Sequence, residues 1–308
     1  MSSAPSLLIR NARILLPNGE FLVGEVQTLG REIVRVAPEI LASDSLPVDK
    51  EVDAQGLTLL PGVIDPQVHF REPGLEHKED LFTASCACAK GGVTSFLEMP
   101  NTRPLTTALD DKLRRAAEKC LVNYGFFIGA TPENLPDLLE AHPTCGIKIF
   151  MGSMHGQLLV DRDTVLESIF AKGVSEAPAK QARLIAVHAE DQARINQRRQ
   201  EFAGINDPAI HSQIQDNQAA LLASELALHL SKKYQRRLHI LHLSTAEEAD
   251  LLRQDKPGWV TAEVTPQHLM LNTSAYEKIG SLAQMNPPLR SPHDNEVLWQ
   301  ALPVMTPI

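Results

Sequence analysis

The sequence has no run of ~18 consecutive apolar residues, so we expect no transmembrane helix. It also opens without the charged and then apolar pattern of a secretory signal. Only four of its 308 residues are cysteine, and no two of them form a C-x-x-C pair. These features predict reduced thiols in a cytoplasmic protein.

Tracts of basic residues and long blocks of like charge are missing too, and the net charge is -9. Nothing in this charge pattern favours a nucleic-acid or membrane partner. Hydrophobic residues make up 43% and charged residues 22%, which is ordinary for a globular protein. The chain is long enough for one large domain or two medium ones, and we expect a small-molecule substrate.

Two patterns of apolar residues divide the chain. Residues 1–60 contain short β-branched runs between turn signals, which predict a small N-terminal β-unit, half of a β-sandwich. Residues 61–308 alternate short apolar runs with helical stretches, including one long predicted helix over 212–234. This alternation predicts an α/β fold with a parallel sheet. The apolar runs number seven, one short of a TIM-type (β/α)₈ barrel, and they cover 61–65, 93–98, 124–129, 146–150, 184–188, 239–242 and 260–264.

Polar side chains follow most of these predicted strands, at the point where each strand ends. In a TIM barrel the carboxyl ends of the strands converge on the active site, so this placement indicates an enzyme. Several of the side chains are histidines, which are common ligands of zinc. The set comprises His69, Arg71, Asn101, Lys148, His188, Glu190, Asp191, His242 and His268.

Lys148 stands within a predicted strand, between Ile147 and Ile149. A bare ammonium group is costly to bury there. The side chain could reach solvent, or it could pair with a carboxylate. It could also react as a neutral amine with carbon dioxide, because a buried lysine has a lowered pKa. The resulting carbamate would be an anionic ligand that bridges two metal ions.

Six segments together resemble the motifs of type I dihydroorotases, members of the amidohydrolase superfamily. The resemblance extends from about residue 7 to about residue 302, in the order and spacing of the family. The segments are D-P-Q-V-H-F-R-E-P-G at 65–74, M-P-N-T within 98–102, H-A-E-D within 187–191, H-I-L-H-L-S-T at 239–245, E-V-T-P-Q-H at 263–268 and M-N-P-P-L-R at 285–290. They resemble the family patterns D-x-H-x-H-x-R-x-P-G, M-P-N-T, H-A-E-D, H-x-x-H-x-S-T, E-V-T-P-H-H and M-N-P-P-L-R.

The resemblance implies a TIM barrel with a small β-sandwich. It also implies the zinc-dependent, reversible hydrolysis of dihydroorotate to N-carbamoyl-aspartate in pyrimidine biosynthesis. By position, His69 resembles a ligand of the more buried metal, Lys148 the bridging carbamate lysine, and His188 and His242 the ligands of the second metal. Four residues resemble substrate-binding groups, namely Arg71, Asn101, Asn286 and His268.

The sequence departs from the family at two places. Gln67 replaces the first histidine of the H-x-H pair, and an amide oxygen is a poorer zinc ligand than imidazole. No residue matches the aspartate of the family's eighth strand, which is its catalytic base, so no catalytic residue is assigned. We therefore expect a barrel that is incomplete at its C-terminus, and a buried metal site weaker than the second one.

Two other functions remain open. A related cyclic amidohydrolase, a hydantoinase or allantoinase, would share the metal residues, and substrate competition would separate it from a dihydroorotase. A non-catalytic dihydroorotase-like subunit would support a partner such as aspartate transcarbamoylase, and it would co-purify with that partner without hydrolysing the substrate. A homodimer is the other assembly that we consider.

Overall fold

The computed structural model describes residues 5–43, 46–103, 105, 109–153, 156–172 and 183–305. The chain divides into two compact units, one that ends at Val63 and one that begins at Ile64. None of the described helices is long and apolar enough to cross a membrane.

The first unit is a small mixed sheet. Its strands are β1 (Ser6–Leu15), β2 (Phe21–Leu29), β3 (Glu32–Ala37), β4 (Lys50–Asp53) and β5 (Thr58–Leu59). They lie in the order β3-β2-β1-β4, and β5 also pairs with β1. In this sheet β1 pairs antiparallel with β2 and parallel with its other neighbours. Between β1 and β2 the chain turns at Gly19, which has a φ of 84° that glycine adopts without strain. Ala12, Ile14 and Val26 form the core of this unit.

The second unit contains seven strands in one sheet. They are β6 (Val63–Val68), β7 (Val93–Glu98), β8 (Asn123–Gly129), β9 (Gly146–Phe150), β10 (Ile185–His188), β11 (Leu238–Ile240) and β12 (Val260–Ala262). They lie in chain order from β6 to β12, and β7 to β12 pair in parallel. In the described part of the chain, this is a curled α/β sheet with one strand fewer than a (β/α)₈ barrel.

Helices separate the strands, as the alternating pattern predicts. They are α1 (Leu81–Gly91), α2 (Asp110–Lys119), α3 (Leu135–Glu140), α4 (Asp163–Lys172), α5 (Gln192–Glu201), α6 (His211–Ile214), α7 (Asn217–Tyr234), α8 (Ala246–Asp255), α9 (Pro266–Met270), α10 (Ala275–Ile279) and α11 (Pro292–Met305). Short 3-10 helices lie at Gly156–Leu158, Pro208–Ile210 and Gly280–Ala283.

Side-chain caps decide where several helices begin. Thr245 and Glu248 form a capping box at the start of α8, each bonding the other's backbone N–H. The prediction of one continuous helix over 212–234 is wrong. Asp216 has an extended backbone, and its carboxylate accepts from the Ala219 N–H, so a new helix starts there. Capping by aspartate favours this break over a continuous helix.

The alternation of side chains along β9 separates two environments. Ile147 and Ile149 pack into the apolar core between the sheet and the helices. Lys148 points to the opposite face and is fully buried. Its partner in register on β10 is Ala186, which belongs to a second apolar cluster with Phe127. Polar groups on that second face, near the carboxyl ends of the strands, form the candidate site.

Candidate active site

The structure brings most of the predicted site residues to one end of the sheet. Burial lowers the pKa of His242 well below its usual value, and the nearby His188, Lys148, His268 and His69 lower it further, so all four lie within electrostatic reach of its ring. The residues that the sequence predicts as metal ligands therefore lie near one another, and metal binding by them stays a prediction.

Lys148 has no hydrogen-bond partner for its Nζ atom anywhere in the described structure. The atom lies 4.4 Å from the centroid of the Phe150 ring. Burial lowers the pKa of Lys148 well below its usual value, and the carboxylate of Glu263 only partly opposes this. The side chain is therefore suited to be a neutral amine, which is one of the three alternatives that the sequence left open.

His188 ends β10 and is held by a carboxylate. Its Nε2 atom lies 2.6 Å from Oε2 of Glu190, which is itself fully buried. Because an ionised carboxylate only accepts, Nε2 carries the hydrogen and Nδ1 keeps its lone pair. Burial on its own would raise the pKa of Glu190, but the bond from His188 and the charge of Arg290 lower it. A carboxylate behind a histidine is a common support for a metal ligand.

His242 follows β11 with a φ of 40°, a conformation that non-glycine residues seldom adopt. Its ring lies edge-on to His188, with 4.6 Å between the centroids. Both ring nitrogens are buried, and neither has a partner in the part of the chain that is described. A strained backbone that holds an unsatisfied imidazole is typical of a functional site.

His69 lies just after β6 and contacts a second candidate residue. Its Nδ1 atom is 2.7 Å from Oδ1 of Asn101, so Nδ1 donates and Nε2 keeps its lone pair. Burial, followed by the charge of Arg71, lowers the pKa of His69 to about 3. Gln67 lies two residues earlier, and its Oε1 atom is buried without a partner among the described residues.

A buried ion pair that the sequence did not reveal supports Arg71, whose φ of 68° is left-handed. Glu98 accepts from the backbone N–H of Phe70 at 3.0 Å, and from the backbone N–H of Arg71 as well. Its other oxygen lies 2.6 Å from Nζ of Lys112, and both side chains are nearly inaccessible to solvent. Lys112 also donates to the backbone carbonyl of Glu72. This pair fixes the loop that carries His69 and Arg71.

The two remaining predicted residues lie on neighbouring segments. Nε2 of His268 bonds the carbonyl of Pro287 at 3.1 Å, and Nδ1 contacts the Thr265 hydroxyl at 2.9 Å. His268 thus supports the turn that contains Asn286, while a substrate contact of its own stays a prediction. Asn286 is exposed, and Nε2 of His211 contacts its Oδ1 atom at 3.0 Å.

The side chains of this site are of the kinds that bind metal ions. Among the side chains that the structure describes, no three His, Cys, Asp or Glu groups already stand close enough together to hold a metal ion. The buried atoms without a hydrogen-bond partner nevertheless include the imidazole nitrogens of His242, the desolvated amine of Lys148, the amide oxygen of Gln67 and one carboxylate oxygen of Glu263. Buried polar atoms without partners are costly, and a ligated ion would remove that cost.

Comparison with known proteins agrees with this geometry. The profile of the amidohydrolase family matches residues 58–278. The chain belongs to the amidohydrolase family. It is 33% identical to the dihydroorotase of Methanosarcina acetivorans, over 97% of this chain and 64% of that protein. It is also 33% identical to the multifunctional protein CAD of Squalus acanthias, over 86% of this chain and 11% of that protein.

A solved structure of the family shares the fold. The L-hydantoinase (dihydropyrimidinase) from Arthrobacter aurescens superposes with a TM-score of 0.85 at 28% identity, over 96% of this chain and 66% of that one. This confirms the predicted barrel-type α/β fold. The chain spans about two thirds of the length of the dihydroorotases and hydantoinases that it matches.

Proposed function

We propose that this amidohydrolase acts on dihydroorotate, hydrolysing its cyclic amide to N-carbamoyl-aspartate and catalysing the reverse reaction, in de novo pyrimidine biosynthesis. The observation that carries the proposal is the convergence of Lys148, His188 and His242, with a buried amine and an unsatisfied imidazole in the described structure. The dihydroorotase relatives support this substrate, and the four free cysteines suit a cytoplasmic setting.

The residues would hold zinc in two groups. His188, His242 and Lys148 would bind one ion, with Lys148 carboxylated. His69, Lys148 and Gln67 would bind a second ion more weakly. In the carboxylation, the neutral Nζ amine attacks the carbon of carbon dioxide, a C–N bond forms while one C=O π bond opens and places its electron pair on oxygen, and one proton passes from the nitrogen to water or bicarbonate. Zinc, when bound, would polarise a carbonyl group and lower the pKa of water.

The chain's own groups would bind and orient the substrate. Arg71 offers a guanidinium that can hold a carboxylate through two parallel hydrogen bonds. Asn101 and Asn286 offer amides on neighbouring segments, and His268 supports the Asn286 turn. The buried environment around Lys148 excludes water and strengthens these electrostatic contacts.

The experiment is hydrolysis of L-dihydroorotate by the purified chain with zinc and bicarbonate supplied. Zinc-dependent turnover that is lost in His242→Ala, and retained in His229→Ala, would support the proposal. His229 is an exposed histidine on α7, so it controls for the loss of a surface imidazole. Folded wild-type chain that neither binds nor hydrolyses L-dihydroorotate would contradict it.

A second candidate is a cyclic amidohydrolase of another substrate, which the hydantoinase superposition favours. Competition between L-dihydroorotate and hydantoin separates the two. Binding of L-dihydroorotate without hydrolysis would favour a third function, a non-catalytic subunit that partners aspartate transcarbamoylase. The similarity to the multifunctional protein CAD is a reason to test that partner by co-purification. A homodimer is the other assembly to test.

A further inference from the structure

The side-chain amide of Asn286 is contacted by two residues that no sequence motif identified. His211, the first residue of α6, places its Nε2 atom 3.0 Å from Oδ1 of Asn286. Gln215, at the end of α6, lies 3.1 Å from the same oxygen. These contacts join a candidate substrate-binding residue to segments about 70 residues away in the chain.

The contact with His211 fixes which Asn286 atom faces the ring. The same Nε2 atom lies 2.8 Å from the backbone carbonyl of Met285, which can only accept a hydrogen bond. Nε2 therefore carries a hydrogen, whether the ring is neutral or protonated. An Asn286 nitrogen at that position would set donor against donor, so the atom there is the oxygen.

The contact with Gln215 independently indicates that the oxygen of Asn286, and not its nitrogen, faces these two residues. One end of its amide faces both carboxylate oxygens of Glu190 at 3.1 Å and the Ser153 hydroxyl at 3.0 Å. An oxygen placed against two carboxylate oxygens would be repelled, so the nitrogen occupies this position. That nitrogen also faces Oδ1 of Asn286 at 3.1 Å. Both Gln215 and Glu190 are buried, so water cannot replace these contacts at low cost.

Because its oxygen accepts from His211 and Gln215, Asn286 has only its Nδ2 amino group free to bind another molecule. Its oxygen faces His211 and Gln215, so its Nδ2 amino group points away from both. Asn286 is exposed, and an incoming molecule can reach it. The residue therefore presents hydrogen-bond donors only, and it suits an oxygen of a substrate carboxylate or ring carbonyl rather than a ring N–H.

The same contacts link this amide to the candidate metal ligands. Gln215 touches Asn286 and Glu190, and Glu190 holds Nε2 of His188 at 2.6 Å. The position of the substrate-binding amide is thus tied to that of a candidate zinc ligand through two buried side chains.

We propose that His211 and Gln215 are positioning residues that hold the Asn286 amide with its N–H groups towards an acceptor oxygen of the substrate. This inference rests on the proposed function, because it assumes that Asn286 contacts the substrate. It adds two residues and a direction of hydrogen bonding to that site.

The test is a double-mutant cycle with L-dihydroorotate as the probe. In His211→Ala we expect KM to rise about tenfold, equivalent to ~1.4 kcal/mol of binding, with kcat within about threefold of wild type. Asn286→Ala should raise KM by a similar factor. The double variant should be no worse than Asn286→Ala, because His211 acts only through that amide. His211→Gln, which keeps an N–H donor, should recover most of the lost affinity.

Different results would contradict the positioning role and the proposed function. Fully additive effects of His211→Ala and Asn286→Ala, or a fall in kcat with KM unchanged, would overturn the positioning role while leaving the proposed function intact. If His211→Ala does not fold, the comparison of His211→Gln with His229→Ala decides, and a tenfold rise in KM for the glutamine variant would count against the proposal. Wild-type chain that shows neither turnover nor calorimetric binding of L-dihydroorotate would overturn both proposals.

Discussion

Strands β9 to β11, in the interior of the sheet, and the edge strand β6 both carry candidate metal ligands, but they support them differently. Every residue of β9 and β10 is buried, and each of these strands has a partner on both sides. In the described sheet, β6 has one neighbouring strand, and its first two residues, Val63 and Ile64, are more than half exposed. The interior strands are therefore the more rigid support.

The side chains also favour the β9–β11 side as the stronger metal site. The β9–β11 side offers Lys148, His188 and His242, with Glu190 behind one imidazole. The β6 side offers His69, backed only by the neutral amide of Asn101, and an amide oxygen from Gln67. Anionic support raises the basicity of a ligating histidine more than a neutral amide does. We therefore expect zinc to bind first and more tightly on the β9–β11 side.

The most direct way to break this comparison is His242→Ala. The substitution removes a ligand from the tighter side, and we expect zinc affinity to fall by more than the roughly 100-fold that is typical when an outer partner is lost. Competition with a chromogenic chelator measures the affinity. His229→Ala is the matched control and should bind zinc as wild type does. Equal affinities in His242→Ala and wild type would place the tight site elsewhere.

Glu190→Gln is expected to have the next largest effect. Glutamine keeps an oxygen that accepts from Nε2 of His188, but it removes the negative charge, so zinc affinity should fall by roughly 10- to 100-fold. The same chelator competition applies, and Glu247→Gln, on the first turn of α8, serves as an unrelated carboxylate control. Unchanged affinity would mean that the hydrogen bond alone orients His188 and that the charge adds nothing.

Gln67→His sharpens the comparison by strengthening the weaker side. An imidazole in place of the amide should raise affinity for the second zinc ion about tenfold, or ~1.4 kcal/mol. Metal analysis after dialysis against limiting zinc should show occupancy rising from about one towards two ions per chain. Gln67→Leu, which offers no ligand atom, should stay near one. Two equally tight sites in the wild-type chain would refute the difference between the sides.

The alternation of apolar runs and helices was sufficient to predict the parallel sheet and the end at which the site lies. The pattern of Ile147, Lys148 and Ile149 on β9 marked the lysine as unusual but left open whether it reaches solvent, and the structure shows that it is buried. The break before α7 was missed because Leu222, Leu226 and Leu230 give helical spacing only within α7, while a local cap at Asp216 decides where that helix begins.

The contacts that support the site could not be predicted from the sequence pattern. Lys112 lies on a helix of charged residues, where a lysine is ordinarily exposed, yet it is buried against Glu98. His211 meets Asn286 from 75 positions away. Neither periodicity nor local propensity carries information on such pairs, since they depend on how distant segments pack. A lysine among apolar neighbours on a strand was a usable signal, whereas a lysine among charges was not.

The smallest expected effect concerns acid stability of the metal-free chain and the β6 side. The folded-state pKa of His69 is lowered to about 3 from a usual 6.5 by burial and then by the charge of Arg71. The unfolded chain therefore binds more protons between these two values. Stability contributed by neutral His69 is fully present above pH 6.5 and is lost as the pH falls towards 3.

In His69→Gln we expect a shallower loss of stability over this pH range. Glutamine can still donate to Oδ1 of Asn101, but it does not titrate. Urea unfolding midpoints between pH 7 and pH 4 measure the slope in the presence of a chelator. The slope should not vanish, because burial also lowers the pKa of His268 to about 4. His229→Ala should leave it unchanged. If His69→Gln and wild type lose stability in parallel, the pKa of His69 is the same in the folded and the unfolded chain, and the β6 side is more open to water than the structure indicates.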